Sequence, residues 1–480
     1  MVGVENGPLF RMDLDGVCEA VVATFLRTHG YTDTLAAFER EGGRTSASSS
    51  CAYEQVPRDL RTLVELAASH AMTQSMQHAT LEEAPASALV EAASPVDYVL
   101  AATYDHLHTS NILSVTPATY PGVEGPCVAT TGADRRVVFV DVSSGDVVGI
   151  LEPSMPGHPR RMGHEAAVLD LSQHPQHPTY VLTAGMDGRV VQWDLRHDRP
   201  VHELRDHSRF VVRVLHSDDG RFMATAGYDK RIHLYAVEVH NEPPVYTHMH
   251  TLALATNPEA LVFVRGPATP CEAPWEQDER TWLVYTARDR ATLHYVALPT
   301  SCIGGTPDWT VLEYGTNADP NDPHTSYSLL HLTLHPSGRY VAAQTGELGT
   351  SDRLDGPSPT LPRILLMPLF SARRHATLWT SAPVSAFASP RHAWMPRGDA
   401  VWVTGEDGVL RLVALDGTER ASVRCHGGMA EPASGRAGAA LAAAAWRSGG
   451  NTVIKGVAVL ADHRVASCGF DRTVRILRSL

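Results

Sequence analysis

Histidine, an aliphatic hydroxyl and aspartate recur together in this chain, the three groups that relay a proton in many hydrolases. His164, Thr183 and Asp187 make one such set, and His207, Thr225 and Asp229 make a second. In a hydrolase the imidazole would take the hydroxyl proton while the carboxylate holds the ring in the right tautomer. A catalytic set occurs once, however, so a repeated one points to architecture. The remaining chemistry is sparse. There is no G-x-x-x-x-G-K-[ST] phosphate loop, no G-x-S-x-G elbow and no H-E-x-x-H helix, since His164-Glu165 lacks the second His. His248 and His250 would share one side of a strand and so seed a metal site, but no third ligand accompanies them, and solvated loop histidines are the simpler reading. The 7 cysteines are odd in number, irregularly spaced and without a C-x-x-C pair, which argues for thiols in a reducing compartment. We expect no enzyme, no metal and no cofactor.

The elements that position these trios belong to a repeat. Its clearest copy is Gly185-Met186-Asp187-Gly188-Arg189-Val190-Val191-Gln192-Trp193-Asp194, in which a turn aspartate separates an apolar run from a β-branched one. Equivalent aspartates are Asp134, Asp187, Asp229, Asp289, Asp407 and Asp471, spaced 53, 42, 60, 118 and 64 residues apart. The longest gap is about twice the others, so a unit that has lost its Asp should lie within it. Leu329 to Leu334, the turn His335-Pro336-Ser337-Gly338 and Tyr340 to Thr345 read as two of its strands, with Ile364 to Leu369 as a third. Seven units of short strands and turns predict seven four-stranded blades.

From about residue 96 to residue 480 the chain resembles the WD-repeat β-propellers. The resemblance implies that Gly163-His164, Thr183, Asp187 and Trp193 form a hydrogen-bonded tetrad stapling the second blade. The third copy keeps His207, Thr225 and Asp229 but has Tyr235 in place of Trp. Thr130 and Ser467 stand four residues before their Asp in the same way, whereas Tyr285 and Val403 bring no aliphatic hydroxyl to the fourth and sixth copies. Thr473 to Leu477 reads as the third strand of the last blade, with almost no chain after it. Val96-Asp97-Tyr98-Val99-Leu100 has the alternation to supply the fourth, so residues near 96–101 should pair with the strand around Val474 and close the ring without exposed edges.

The amino-terminal segment is different in kind. Val17, Val21, Val22, Phe25 and Leu26 fall on one helix face, Gly30 suits the helix end, and Leu35 and Phe38 mark a second short helix ending at Gly42. Helices this short need a partner, either the chain's own propeller or a second copy. Phe25 to Glu41, with Gly30-Tyr31 and Phe38-Glu39 at its centre, resembles a LisH motif, which implies dimerisation through Val22, Phe25, Leu26, Leu35 and Phe38. The expected layout is a LisH hairpin over 1–42, a linker over 43–95 with one or two weak helices, the first after Pro57 and the second within Thr73 to Ala93, and the propeller over 96–480.

Charged residues are 19% of the chain and hydrophobic ones 43%, and no apolar run of bilayer length occurs. The net charge of −13 opposes direct nucleic-acid binding and attraction to an anionic membrane. We expect an intracellular protein of the nucleus or cytoplasm whose partners are proteins or peptides. In WD repeats the residue before the turn Asp lies on the top face. That resemblance assigns Met186, Tyr228, Arg288, Glu406 and Phe470 to a partner-binding rim, with Arg209 and Phe210 beside them. Trp193-Asp194-Leu195-Arg196 is similar to the W-D-x-R box of ubiquitin-ligase substrate receptors, and implies a ligase-adaptor contact at Asp194 and Arg196. The expected function is a non-enzymatic, dimeric interaction scaffold; the alternative is a substrate receptor of a cullin-type ubiquitin ligase. Long insertions at Gly266 to Arg280, Gly315 to His324 and Gly346 to Pro362 are expected to be disordered or to carry family-specific contacts.

Overall fold

The computed structural model describes residues 96–153, 162–239, 242–267, 279–299, 309, 311–317, 326–346, 362–383, 389–427 and 451–480. The LisH hairpin, the linker helices and most of the three long insertions lie outside the described residues.

Twenty-eight strands form seven four-stranded antiparallel sheets among the described residues, with no helix. The first strand of each sheet is innermost: β2 (Ile112–Ala118), β6 (Val168–Gln173), β10 (Val211–His216), β14 (Pro258–Pro267), β18 (Leu329–Leu334), β22 (His392–Trp394) and β26 (Ile454–Val459). Each inner strand neighbours the next, and β26 returns to β2, so the seven sheets close into a ring. Closure of the last blade uses β1 (Tyr98–Tyr104), which pairs with β28 (Val474–Ser479) outside β27 (Val465–Gly469). The register matches Leu100 with Leu477 and Tyr104 with Val474. The closing strand therefore runs three residues past the expected 96–101, because Tyr104 is itself buried.

Seven apolar clusters hold the ring, and each spans two adjacent blades. Val128, Val138, Ala466 and Ile476, for example, join the first blade to the last. A blade covered on both faces buries both sides of its middle strands. Cys127–Gly132, Tyr180–Gly185 and Phe222–Gly227 are accordingly buried at every position, without the alternation of a sheet with one wet face.

Four blades carry a staple of buried histidine, hydroxyl and aspartate. His164 Nδ1 lies 3.1 Å from both Asp187 oxygens and its Nε2 2.8 Å from Thr183 Oγ1, to which Trp193 Nε1 donates at 2.8 Å. His207, Asp229 and Thr225 repeat the geometry at 3.0 and 2.9 Å, but Tyr235 turns its hydroxyl to Asp206 at 2.8 Å. His108 with Asp134 and Thr130, and His426 with Asp471 and Ser467, complete two further sets that the sequence reading did not assign. The glycine of the G-x-D motif follows from this packing. A Cβ at Gly185 would sit 2.3 Å from His164 Nδ1, and one at Gly227 would meet His207 at the same distance.

The fourth blade corrects one expectation. Ala287 occupies the glycine's register position there, pairing with Pro258 as Gly227 pairs with Val211, so a methyl group fills the space of the His–Asp bond. Asp289 is exposed and itself takes the left-handed conformation at φ 59°, unlike the tetrad aspartates, where the following residue does so. In the sixth blade Asp407 is held by Arg411 at 2.6 Å, without a histidine. The fifth and sixth blades are instead tied by His392, which bonds Gln344 Oε1 at 2.8 Å and Thr333 Oγ1 at 2.7 Å.

Replacing Asp187 with Ala strands the His164 N–H and removes acceptors from the Glu165 and Arg189 amides, 2.8 and 3.1 Å away. A loss of about 2–4 kcal/mol is expected, against less than about 0.5 kcal/mol for Asp289→Gly, which keeps the left-handed turn. Urea unfolding of the two variants side by side checks this; equal losses would mean that the staple contributes nothing special.

Candidate partner-binding face and central channel

The turn after each second strand returns to the start of the inner strand through one backbone bond. The amides of Ala133, Met186, Tyr228, Arg288 and Phe470 donate to the carbonyls of Asn111, Ala167, Phe210, Asn257 and Val453 at 2.8–3.0 Å. Each acceptor immediately precedes its inner strand, so these five turn residues stand at the same end of the ring. Glu406 departs from the pattern and donates to Pro383. It still adjoins Phe470, because Thr452 bonds the Glu406 carbonyl and Val453 the Phe470 amide.

The expected rim residues form neighbouring groups. Arg288 donates to the Tyr228 hydroxyl at 2.9 Å, lies over its ring at 5.2 Å from the centroid, and pairs with the carboxylate of buried Glu259. Burial pushes the Glu259 carboxyl up despite the guanidinium opposite. A Cβ at Gly188 would lie 3.2 Å from the carbonyls of His207 and Arg209, so the loop carrying exposed Arg209 and Phe210 abuts the turn of Met186. Phe210 is 41% exposed, a large apolar side chain left to solvent beside that turn.

Asp194 and Arg196 stand elsewhere, at the end of the strand Val190–Asp194. Asp194 is buried; Arg196 donates to it at 3.0 Å and to Glu242 at 2.9 Å, and reaches the Tyr180 hydroxyl. Half-exposed, the guanidinium is already held by three groups of its own chain.

Among the described residues the histidine clusters are committed to partners of their own. His207, Asp229 and His233 cluster closely enough to ligate an ion, but His207 spends Nδ1 on Asp229 and Nε2 on Thr225. His248 and His250 do not converge: a register shift intervenes, His248 meets His233 at 3.2 Å, and His250 stacks on Trp309 with centroids 4.4 Å apart. Burial alone would raise the tetrad carboxyls, but their histidine bonds outweigh it and hold Asp134, Asp187, Asp229 and Asp471 below the usual range. Cys127 and Cys425 are buried thiols that burial pushes up to about 11 and about 12, away from nucleophilic use.

The sequence reading missed the charges of the channel. Asp170 and Arg213 face each other from β6 and β10 at 3.6 Å, and Arg391 and Lys455 join them around one cavity. A charge flanked by apolar residues, as in Leu169-Asp170-Leu171 and Val212-Arg213-Val214, was the available signal.

Comparison with known families agrees with this architecture. Residues 17–45 match a LisH domain. Residues 157–194 and 198–235 match the WD domain, G-beta repeat, and span the second and third blades, where the tetrads of His164 and His207 stand. Among the described residues no helix is long and apolar enough to cross a membrane.

Proposed function

From a LisH domain joined to a seven-bladed WD-repeat propeller, we propose that this chain is a non-enzymatic interaction scaffold. It dimerises through Val22, Phe25, Leu26, Leu35 and Phe38 and holds a partner protein on the rim formed by Met186, Arg209, Phe210, Tyr228, Arg288, Glu406 and Phe470. The reading rests chiefly on the recurrent backbone bond that gathers five turn residues at one end of the ring. Tyr, Arg, Phe and Met are the types that dominate interface energetics, and an exposed Phe210 is costly unless covered. Two tethered rims raise the effective concentration of the second contact, so weak single contacts suffice. The site lies in the nucleus or cytoplasm in this reading. The substrate-receptor alternative draws on Asp194 and Arg196, whose guanidinium is half-exposed yet bound within its own chain.

One paired experiment tests the proposal in the full-length chain. Phe25→Asp should halve the mass measured by light scattering while retaining partners. Tyr228→Ala/Arg288→Ala/Phe470→Ala should stay dimeric and lose them on affinity purification. An unchanged mass removes LisH dimerisation, and an unchanged partner set removes the rim. Loss of a cullin adaptor from Arg196→Ala alone would establish the alternative.

A further inference from the structure

The propeller encloses a cavity of about 430 Å³ between its inner strands, lined by Arg213, Arg391 and Lys455 together with one carboxylate, Asp170. Three cations meeting one anion in a half-buried space is an unfavourable arrangement unless an anion joins them. Arg213 reaches Asp170 only at 3.6 Å, and its Nη2 has no hydrogen-bond partner. Nη1 of Arg391 is likewise buried and unpartnered, and neither the Arg391 guanidinium nor the Lys455 ammonium makes an ion pair among the described residues. Glu259, the other nearby carboxylate, is committed to Arg288.

The two histidines on the wall do not relieve this. Burial first, and the neighbouring cations after it, keep His331 and His392 neutral, with His392 down to about 3. Desolvation and the adjacent guanidiniums also bring Arg391 down to about 9 and Lys455 down to about 8. Each cation thus raises the cost of charging the others, and a dianion among them would reverse the sign of that interaction. Position adds a second argument. Arg213, Arg391 and Lys455 stand within or just before the first residues of β10, β22 and β26, so cations from three separate blades converge at one end of the ring.

We propose that this cavity binds a small phosphate-bearing solute, with Arg213, Arg391 and Lys455 as its ligands. Guanidinium groups present paired N–H donors matched to phosphate oxygens, and the volume suits a small molecule. The cavity lies at the end of the ring that carries the rim but uses none of the rim residues, so its failure would leave the scaffold reading untouched.

Titration calorimetry of the full-length protein with inorganic phosphate, pyrophosphate and tripolyphosphate, at constant ionic strength with chloride as control, tests the assignment. Saturable binding of at least one is expected. Arg391→Met/Lys455→Met should weaken it by about tenfold or more per cation removed. That variant should melt no lower than wild type, because it removes two half-buried, mutually repelling cations that make no ion pair among the described residues. Asp170→Asn should tighten binding several-fold. No heat with any of the three anions, or binding that survives the double substitution, overturns the proposal. Binding of a phosphorylated peptide with none of the free phosphates would overturn it in favour of a protein ligand.

Discussion

Lowering the pH from 7.0 to 5.5, above the ordinary carboxylate range, is expected to remove about 5 kcal/mol of folding free energy. Four histidines account for this much, and His331, likewise held neutral by burial, adds to it. Burial pushes His216 and His392 down to about 3, and His174 and His233 down to about 4. None is more than 7% exposed. The reasons are local: His174 Nδ1 accepts the His177 amide at 3.0 Å and must stay unprotonated, while His216 is enclosed between Ser172 and Tyr246. A folded pKa below the unfolded value of about 6.5 means that the unfolded chain binds more protons, so stability is full above 6.5 and falls as pH drops towards the folded value. Each histidine then costs roughly 1.2 kcal/mol over this interval, a figure that depends only on the folded pKa lying well under 5. The depressed tetrad aspartates act in a lower window, since their contribution holds above about 3.8 and is lost only beneath it. Urea unfolding at pH 7.0, 6.0 and 5.5 decides the matter. A flat profile across that range followed by a drop below pH 4 would assign acid lability to the carboxylates alone.

The second large effect concerns ring closure. Tyr104, in β1, is 7% exposed, packs in the cluster between the last and first blades, and donates its hydroxyl to the Val142 carbonyl at 3.0 Å. Tyr104→Ala should cost about 4 kcal/mol, from a large cavity plus a lost hydrogen bond. Tyr104→Phe, which keeps the ring, should cost only about 1 kcal/mol. The damage should also be local. Hydrogen exchange in the Tyr104→Ala protein should rise in 474–479, the strand that β1 covers, more than in the strands of the third and fourth blades. Uniform exchange across all blades would show that β1 is not a latch with its own opening step.

Both effects depend on features that differ in how far the residues themselves disclose them. The repeat was legible because its anchors are local: a turn Asp, a glycine two residues before it and a β-branched run after it. Even the divergent fifth blade could be placed, from Leu329 to Leu334 and Tyr340 to Thr345, since the spacing left room for one unit. His426 escaped notice because 45 residues part it from Asp471, where 22 or 23 part the second and third pairs. Asp289 was misplaced because a matching letter in a turn does not reveal its φ. Ala287, one methyl group larger than the tetrad glycine, was the visible sign that no histidine could dock there.

The amino-acid sequence by itself determined the blade number, the closing strand and two of the four staples, all set by short-range pattern and by the need to bury sheet edges. Tertiary structure alone decided that Tyr228 would carry Arg288 from the next blade, and that Arg213, Arg391 and Lys455 would share one cavity. These residues come from different blades, and no local periodicity relates them. Only closure of the seven inner strands brings their charges together, and their partial burial there makes each felt by the others.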